Sequence, residues 1–493
     1  MIQERIIGRK KEFKILSQIV KLKEAQFIAV YGRRRVGKTF LIREFYKDKG
    51  FFLECTGIKN LELSKQLANF SQALSKTFFS GAPLKISSSW HEAFELLTQK
   101  IQEIPKGKKA ILFLDELPWL ASRRSGLIQA LDYYWNVHWS KLNHLILIVC
   151  GSAASWMLEH IVNAKGGLYN RISKKIMLEP FNLKETKEFL KAQTVKLEHK
   201  QIVDLYMAIG GIPYYLKEVR KGESASQAID GLCFQNNGIL YTEFKHLFRS
   251  LFDHAENHLQ IIREIANAGN TISRERLIAA TKMSSGGSLN RRLEELEASG
   301  FIKHFIPLGK KSRDSFYRII DEYTLFYLKW IEPLISSGTF SGKKGYWNRT
   351  LNTPHRNTWA GFAFESLCIK HIDQIIQAIG IEDIAHKIGC WRFVPARKSK
   401  DQGAQVDLLF DRADGIITLC EVKFSEHVFT IDKAYSGILN QKIDAISKHY
   451  PNSKNPTKKQ IQLAMATTYG IKKNMYSEEL VQNVITLNEL FVD

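Results

Sequence analysis

The alternation of apolar and polar positions divides the chain into regions of different rhythm. Over residues 1–180, short apolar runs at 27–31, 51–55, 110–115, 144–150 and 175–178 are separated by amphipathic stretches with helical spacing. Such runs predict strands buried on both faces of a parallel sheet covered by helices. From Phe181 to about Lys245 the period is helical throughout, broken at Gly210-Gly211-Ile212-Pro213, where a new helix starts. Residues 255–320 hold three short helical stretches, HLQIIREIANAG, SRERLIAATK and LNRRLEELEASG, then the strand-like runs FIKHFIPL and DSFYRII joined by a turn at 309–314. That order predicts a winged helix-turn-helix. Residues 335–348, rich in Ser and Gly, read as a linker. Beyond it, a helical stretch (TWAGFAFESLCIKHIDQIIQ) precedes two strand runs, 404–410 and 416–423, whose connection contains Asp414-Gly415 and predicts a hairpin.

The first strand run ends at Gly32-Arg33-Arg34-Arg35-Val36-Gly37-Lys38-Thr39, directly before a helical pattern. This G-x-x-x-x-G-K-T spacing, between a strand and a helix, is that of a phosphate-binding loop. Glycines let the backbone curl so that its N–H groups face phosphate oxygens, and the helix N-terminus adds its dipole. Lys38 would reach the β- and γ-phosphates, and the Thr39 hydroxyl would take a place on Mg²⁺. The third run ends in Asp115-Glu116. A double acid at the C-terminal end of a buried strand lies where open α/β sheets bind ligands. Asp115 would hold Mg²⁺ through water, and Glu116 would orient and deprotonate the attacking water. Ser152, after the fourth run, is placed either to sense the γ-phosphate or simply to fit a tight turn. ATP and Mg²⁺ are therefore the expected cofactors, although adenine and guanine are not distinguished.

Composition adds a partner to this picture. The 493 residues carry a formal charge of +21, which points to a polyanion, nucleic acid before an anionic membrane surface. Arg291 and Arg292, near the start of the third helix of the winged segment, would approach DNA. Lys310, Lys311 and Arg313, at the wing tip, would lie at phosphate distance. Cysteines 55, 150, 233, 368, 390 and 420 show no metal-like spacing and read as small buried hydrophobes of a reducing compartment. No apolar run is long enough to span a bilayer, and the first residues lack the apolar core of a signal peptide. The expectation is a cytoplasmic protein with a DNA partner, no membrane partner, and a homo-oligomer among the assemblies open to it.

A second constellation lies in the C-terminal hairpin. Glu421 and Lys423 are two apart on a strand and so share one face, with Cys420 and Val422 on the other. Asp407 on the paired strand can meet them, and Glu365 can approach from the preceding helix. Two acids chelate a hard divalent cation, and the ammonium of Lys423 would position water or stabilise charge during phosphodiester cleavage. The expected metal ligands here are Asp407, Glu421 and Glu365, with Asp407, Glu421 and Lys423 catalytic.

The chain resembles the archaeal-type ATPases of the AAA+/STAND division, which also occur in bacteria. The marks are Ile7-Gly8-Arg9-Lys10, Tyr31-Gly32-Arg33-Arg34-Arg35-Val36-Gly37-Lys38-Thr39, Asp115-Glu116, Gly151-Ser152 and Gly210-Gly211-Ile212-Pro213. The C-terminal half is similar to the uncharacterised domain that commonly follows them, whose core is similar to PD-(D/E)xK nucleases; Tyr317-Arg318-Ile319-Ile320-Asp321 and Phe326 belong to that junction. The resemblance implies that Ile7-Gly8-Arg9 lies near the adenine. It also implies that Arg171 acts as an arginine finger or sensor, with a structural salt bridge the alternative because Asn170 replaces the usual glycine. The fold expected is α/β: a P-loop NTPase core (1–180), a helical lid (181–245), a winged helix-turn-helix (246–335) and an α/β nuclease-like domain (349–493). The function expected is a Mg²⁺-dependent ATPase coupled to DNA binding and cleavage. Two rivals stand beside it: an NTP-dependent regulatory or signalling switch whose nuclease-like fold only binds, and a DNA-binding regulator without cleavage.

Overall fold

The computed structural model describes residues 6–122, 124–163, 168, 170–283, 286–311, 314–338, 345–395, 402–450 and 459–492. Five strands, β1 (Gln26–Tyr31), β2 (Gly50–Thr56), β3 (Lys109–Asp115), β4 (Leu145–Gly151) and β5 (Lys174–Met177), form a wholly parallel sheet in the order β2-β3-β4-β1-β5. The continuous apolar runs are explained by two buried faces. Ile28, Val30, Ile111 and Phe113 enter one core, while Phe27, Ala29, Leu112 and Leu114 enter the core on the other side. One strand, β4, separates β1 from β3, so the loop at Gly32 and the acids at Asp115 open at the same edge of the sheet. Helix α1 (Lys38–Tyr46) follows β1 directly.

The helical region comprises α2 (Leu183–Ala192), α3 (His199–Ile209), α4 (Ala225–Cys233) and α5 (Ile239–Leu251). After it come α6 (Ala255–Asn267), β6 (Thr271–Ser273), α7 (Arg274–Thr281), α8 (Gly287–Ala298), β7 (Ile302–Phe305) and β8 (Phe316–Ile319), with an antiparallel sheet in the order β6-β8-β7. The C-terminal part is built on α9 (Pro354–Lys370), β9 (His386–Phe393), β10 (Ala404–Arg412), β11 (Ile416–Lys423), α10 (Lys433–His449), β12 (Gln460–Thr467) and β13 (Val481–Ile485). Its sheet runs β13-β12-β11-β10-β9, antiparallel at β9–β10–β11 and parallel from β11 to β13.

These regions are not beads on a string. One hydrophobic core runs from the β1 face of the first sheet through helices α2–α5 and the three-stranded sheet to Leu408, Cys420 and Val422 of the last sheet. Of the predicted linker, residues 339–344 lie outside the described residues, and 345–348 are not a free tether. Trp347 is 1% exposed, and its ring lies 5.0 Å from Trp330 and 5.5 Å from Trp359. Trp330 and Trp359 are themselves 6.2 Å apart, and all three pairs cross nearly at right angles. The buried carboxylate of Asp230 on α4 accepts from the backbone N–H of Gly345 (2.7 Å) and Trp347 (2.9 Å), fixing this segment to the helical region. Burying an indole outweighs the Ser/Gly character of the residues before it. No helix of the described residues is long and apolar enough to cross a membrane.

Candidate functional sites

The loop after β1 is shaped by its glycines. Gly32 (φ 137°) passes so close to β5 that a Cβ there would stand 2.3 Å from the Leu178 carbonyl oxygen, and Gly37 has φ 94°. Arg35 is also left-handed (φ 70°), a conformation costing a residue with a Cβ about 1–3 kcal/mol. It is held by an ion pair with Glu243 of α5 (2.9 Å) and by packing on Tyr214 (4.2 Å to the ring centre). Lys38, buried, donates to the carbonyls of Gly32 and Arg33, both at 2.9 Å. The Thr39 hydroxyl donates to Asp115 Oδ2 at 2.8 Å. Asp115 Oδ1 is buried without a hydrogen-bond partner, and burial lifts this carboxyl above its usual range while Thr39 opposes the rise. A hydroxyl beside a carboxylate with a spare buried oxygen is a hard-oxygen donor pair suited to Mg²⁺. Glu116 (φ 46°) accepts from the Ser152 N–H (3.1 Å) and hydroxyl (2.9 Å), so Ser152 meets the acid at the end of the neighbouring strand.

The cavity over this loop, about 460 Å³, is lined by residues 34–41 and Glu116 at one end and by Ile6, Phe181, Phe189, Pro213 and Tyr214 at the other. An apolar wall with convergent polar groups suits a nucleotide whose base packs on rings and whose phosphates meet the loop. Arg9 closes the cavity's flank. Its guanidinium donates to the carbonyls of Val36 (2.9 Å) and Glu179 (2.7 Å), and its N–H donates to Glu185 (2.8 Å), which also completes the capping box of α2. Ile7 and Arg9 both line the cavity, and Arg34 does so on the loop.

Two of the expected nucleotide residues are placed elsewhere. The Arg33 side chain turns away from the cavity into the core, where it forms an ion pair with buried Asp321 and lies 5.2 Å from the Phe301 ring centre. It is drawn there because Asp321, just past β8, offers a desolvated carboxylate. Arg171 is exposed on the turn before β5, does not line the cavity, and has no ion pair among the described residues.

In the C-terminal sheet, the β10 register shifts between Val406 and Leu409, and this irregularity presents Asp407 beside β11. Asp407 Oδ2 faces the Val422 N–H at 3.5 Å. Glu421, 2% exposed, accepts from Lys442 of α10 (2.9 and 2.7 Å) and from the Tyr435 hydroxyl (3.0 Å), with Lys423 at 3.3 Å. Glu365 of α9 accepts from Arg318 of β8 at 3.3 Å. Burial, then the charge of Asp407, pushes the Glu365 carboxyl up to about 7; burial, then Glu421, raises Asp407 as well. Among the described residues no three His, Cys, Asp or Glu side chains converge on one metal position. Of the three expected carboxylates, Glu365 is paired with Arg318 while it still feels the charge of Asp407. Asp407 and Glu421 remain as a hard-oxygen pair, with Lys442 holding the Glu421 oxygens. Tyr435, Lys442 and Arg318 are partners that strand spacing alone did not reveal as site residues.

The expected DNA contacts divide. Lys310 and Lys311 are exposed, while Arg313 lies outside the described residues. Arg291 pairs with Glu295 at 3.0 Å, and Arg292 donates to the Ser288 carbonyl at 2.8 Å. Both arginines line a cleft of about 880 Å³ whose opposite wall includes Pro118, Trp119, Ser155 and Trp156 beside the parallel sheet. Helix α8 packs against residues 154–157 there; Arg291 stays largely exposed at the cleft's edge, while Arg292 is half-buried.

Comparison with known proteins agrees with the first site. Residues 6–219 match the model of an ATPase domain predominantly from Archaea. An uncharacterised protein of Methanocaldococcus jannaschii is 25% identical over 389 residues, covering 78% of this chain and 81% of its own length. An uncharacterised ATP-binding protein of Pyrococcus abyssi is 26% identical over 245 residues, 43% of this chain and 72% of that protein. Among solved structures, a Walker-type ATPase of Pyrococcus abyssi is similar with 20% identity and a TM-score of 0.47, covering 66% of this chain and 97% of its own.

Proposed function

Starting from an archaeal-type P-loop ATPase domain, we propose that this chain hydrolyses ATP with Mg²⁺ and uses the hydrolysis cycle to control a winged-helix and nuclease-like half acting on DNA. The observation that carries the reading is the convergence of Lys38, the Thr39–Asp115 pair and Glu116 at neighbouring strand ends. Lys38 exchanges the Gly32 and Arg33 carbonyls for the β- and γ-phosphates. Thr39 and Asp115 would hold Mg²⁺, which supplies neutralisation of phosphate charge. Glu116, once released from Ser152, orients and deprotonates the attacking water. The formal charge of +21 and the exposed Lys310 and Lys311 supply affinity for the DNA backbone. At the second site Asp407 and Glu421 would hold a divalent cation, and Lys423 would position the attacking water on a phosphodiester.

The test is incubation of purified protein with plasmid, linear and single-stranded DNA, with and without ATP, in Mg²⁺ or Mn²⁺. ATP turnover together with nicking or cleavage that is lost in Asp407→Ala supports the full reading. A second reading, an NTP-dependent switch whose nuclease-like fold only binds, is favoured by one observation: Lys442 and Tyr435 already satisfy Glu421. ATP turnover with no cutting of any DNA form selects it, and absence of ATP turnover overturns both.

A further inference from the structure

Five consecutive residues join the two acidic sites. Arg318 on β8 donates to Glu365 beside Asp407. Asp321, 1% exposed, pairs with Arg33 of the phosphate-binding loop. Glu322 pairs with Lys370 at 2.7 Å, and Lys370 lies five residues after Glu365 on α9. The same hairpin roofs the acids: Phe305 of β7, Arg318 and Cys390 of β9 line both cavities that open onto Asp407. The Leu308 N–H donates to the Cys390 carbonyl at 3.0 Å, tying the roof to the edge of the C-terminal sheet.

The loop end of this connection is poised to change. Arg33 is wholly buried, yet its Nε and Nη2 have no hydrogen-bond partner among the described residues. A desolvated guanidinium with a single acceptor is costly to keep. The Arg33 carbonyl is also one of the two groups that Lys38 occupies. Phosphate entering the loop draws Lys38 away, and the residue left to readjust is the one clamped to Asp321.

We propose that residues 318–322 are a nucleotide-controlled strap: phosphate in the loop releases Arg33 from Asp321, and the β7–β8 roof then lifts from the Asp407–Glu421 pair. The proposal rests on nucleotide binding at the loop and is independent of whether the acids cut DNA. It makes ATP a gate for access to the second site rather than a participant in it.

Cys390 reports on the roof without any activity assay. It is partly exposed, the other five cysteines are buried, and burial raises its thiol to about 11. The experiment is iodoacetamide labelling of the full chain, read by peptide mass spectrometry, with and without a non-hydrolysable ATP analogue and Mg²⁺. Analogue binding is measured in parallel by titration. Cys390 labelling should rise about 5-fold or more with the analogue, while the buried cysteines do not change. Asp321→Asn keeps the cap on the Thr324 N–H but removes the charge, so it should label quickly without analogue. By reciprocity it should also bind the analogue more tightly by a similar factor. Arg318→Gln, which frees only the far end, should raise labelling as well, and it decides the matter if Asp321→Asn does not fold. Analogue binding to the wild type with unchanged Cys390 labelling overturns the strap and leaves the ATPase reading intact. No binding of the analogue overturns both.

Discussion

Asp115 and Asp407 both sit on buried strands with carboxyls raised by burial, yet their surroundings differ in kind. Around Asp115, the partners come from adjacent strand ends and a contiguous loop, and one oxygen is left unpartnered for a cation. Around Asp407, they come from β8, α9, β11 and α10, and the neighbouring Glu421 is already held by two lysines and a tyrosine. The first site is prepared for a ligand. At the second, the chain's own cations balance the acids and must yield before a metal can enter. A loop of backbone N–H groups costs little to leave open, whereas clustered buried carboxylates need charge compensation whenever no metal supplies it.

The contrast is sharpest in a pair of catalytic substitutions. Glu116→Gln should lower ATP turnover by about 10²–10⁴-fold with little change in nucleotide affinity, since it removes a base and not a phosphate contact. Asp407→Asn should leave ATP turnover at the wild-type level. Steady-state kinetics with parallel binding titrations measure both, and ATP turnover lost equally in the two variants would mean the sites are not separable.

A second expectation concerns acid. His371, at the end of α9, accepts from the Leu183 N–H of α2 at 3.0 Å, joining the helix of the second site to the lid of the first. Burial pushes its imidazole down to about 4 from the ordinary 6.5. The fold favours the neutral ring, so its contribution is complete above about pH 6.5 and is lost as pH falls toward 4. Denaturant unfolding should show a loss of about 3 kcal/mol over that window, absent in His371→Gln. Equal acid sensitivity in both proteins would assign the loss to other groups.

Next in size is a stability contrast between two lysines. Lys442→Met strips Glu421 of its main partner and should destabilise the chain by about 1–3 kcal/mol. Lys38→Ala releases only two backbone carbonyls and should leave nucleotide-free stability nearly unchanged while weakening ATP binding about 10- to 100-fold. Thermal melts with and without nucleotide separate the two. Mn²⁺ should raise the melting temperature of wild type through the second site, and less so in Asp407→Asn. The smallest effect lies between β7 and β8, where the proposed DNA contact predicts that Lys310→Gln with Lys311→Gln flattens the slope of log affinity for duplex DNA against log salt by about 2.

The sequence made the first site legible because its chemistry is contiguous. The strand run, G-x-x-x-x-G-K-T and Asp115-Glu116 each fix backbone and side chains locally, and every strand of the parallel sheet falls within a residue or two of its apolar run. What could not be read was pairing between segments far apart. Nothing near Arg33 announces Asp321, 288 positions later, and a loop arginine is indistinguishable from a phosphate ligand until its partner is seen. Arg291 and Arg292 have the spacing of exposed helix arginines, and only the docking of α8 on residues 154–157 sets them at the edge of a cleft, with Arg292 half-buried. Glu421 and Lys423 share a face by strand period, but Lys442 and Tyr435 reach them from α10 across a tertiary contact.

The tryptophan triad at Trp330, Trp347 and Trp359 has an optical consequence. Indoles held close and crossed couple their strong electronic transitions, adding to the circular dichroism a contribution that a solitary ring lacks. Trp330 follows the strap by eight residues, Trp347 is pinned to the lid by Asp230, and Trp359 stands on the helix of the second site. The chain therefore carries its own chromophore where the helical region meets the C-terminal sheet, and any rearrangement that separates the two should be visible in its spectrum without a label.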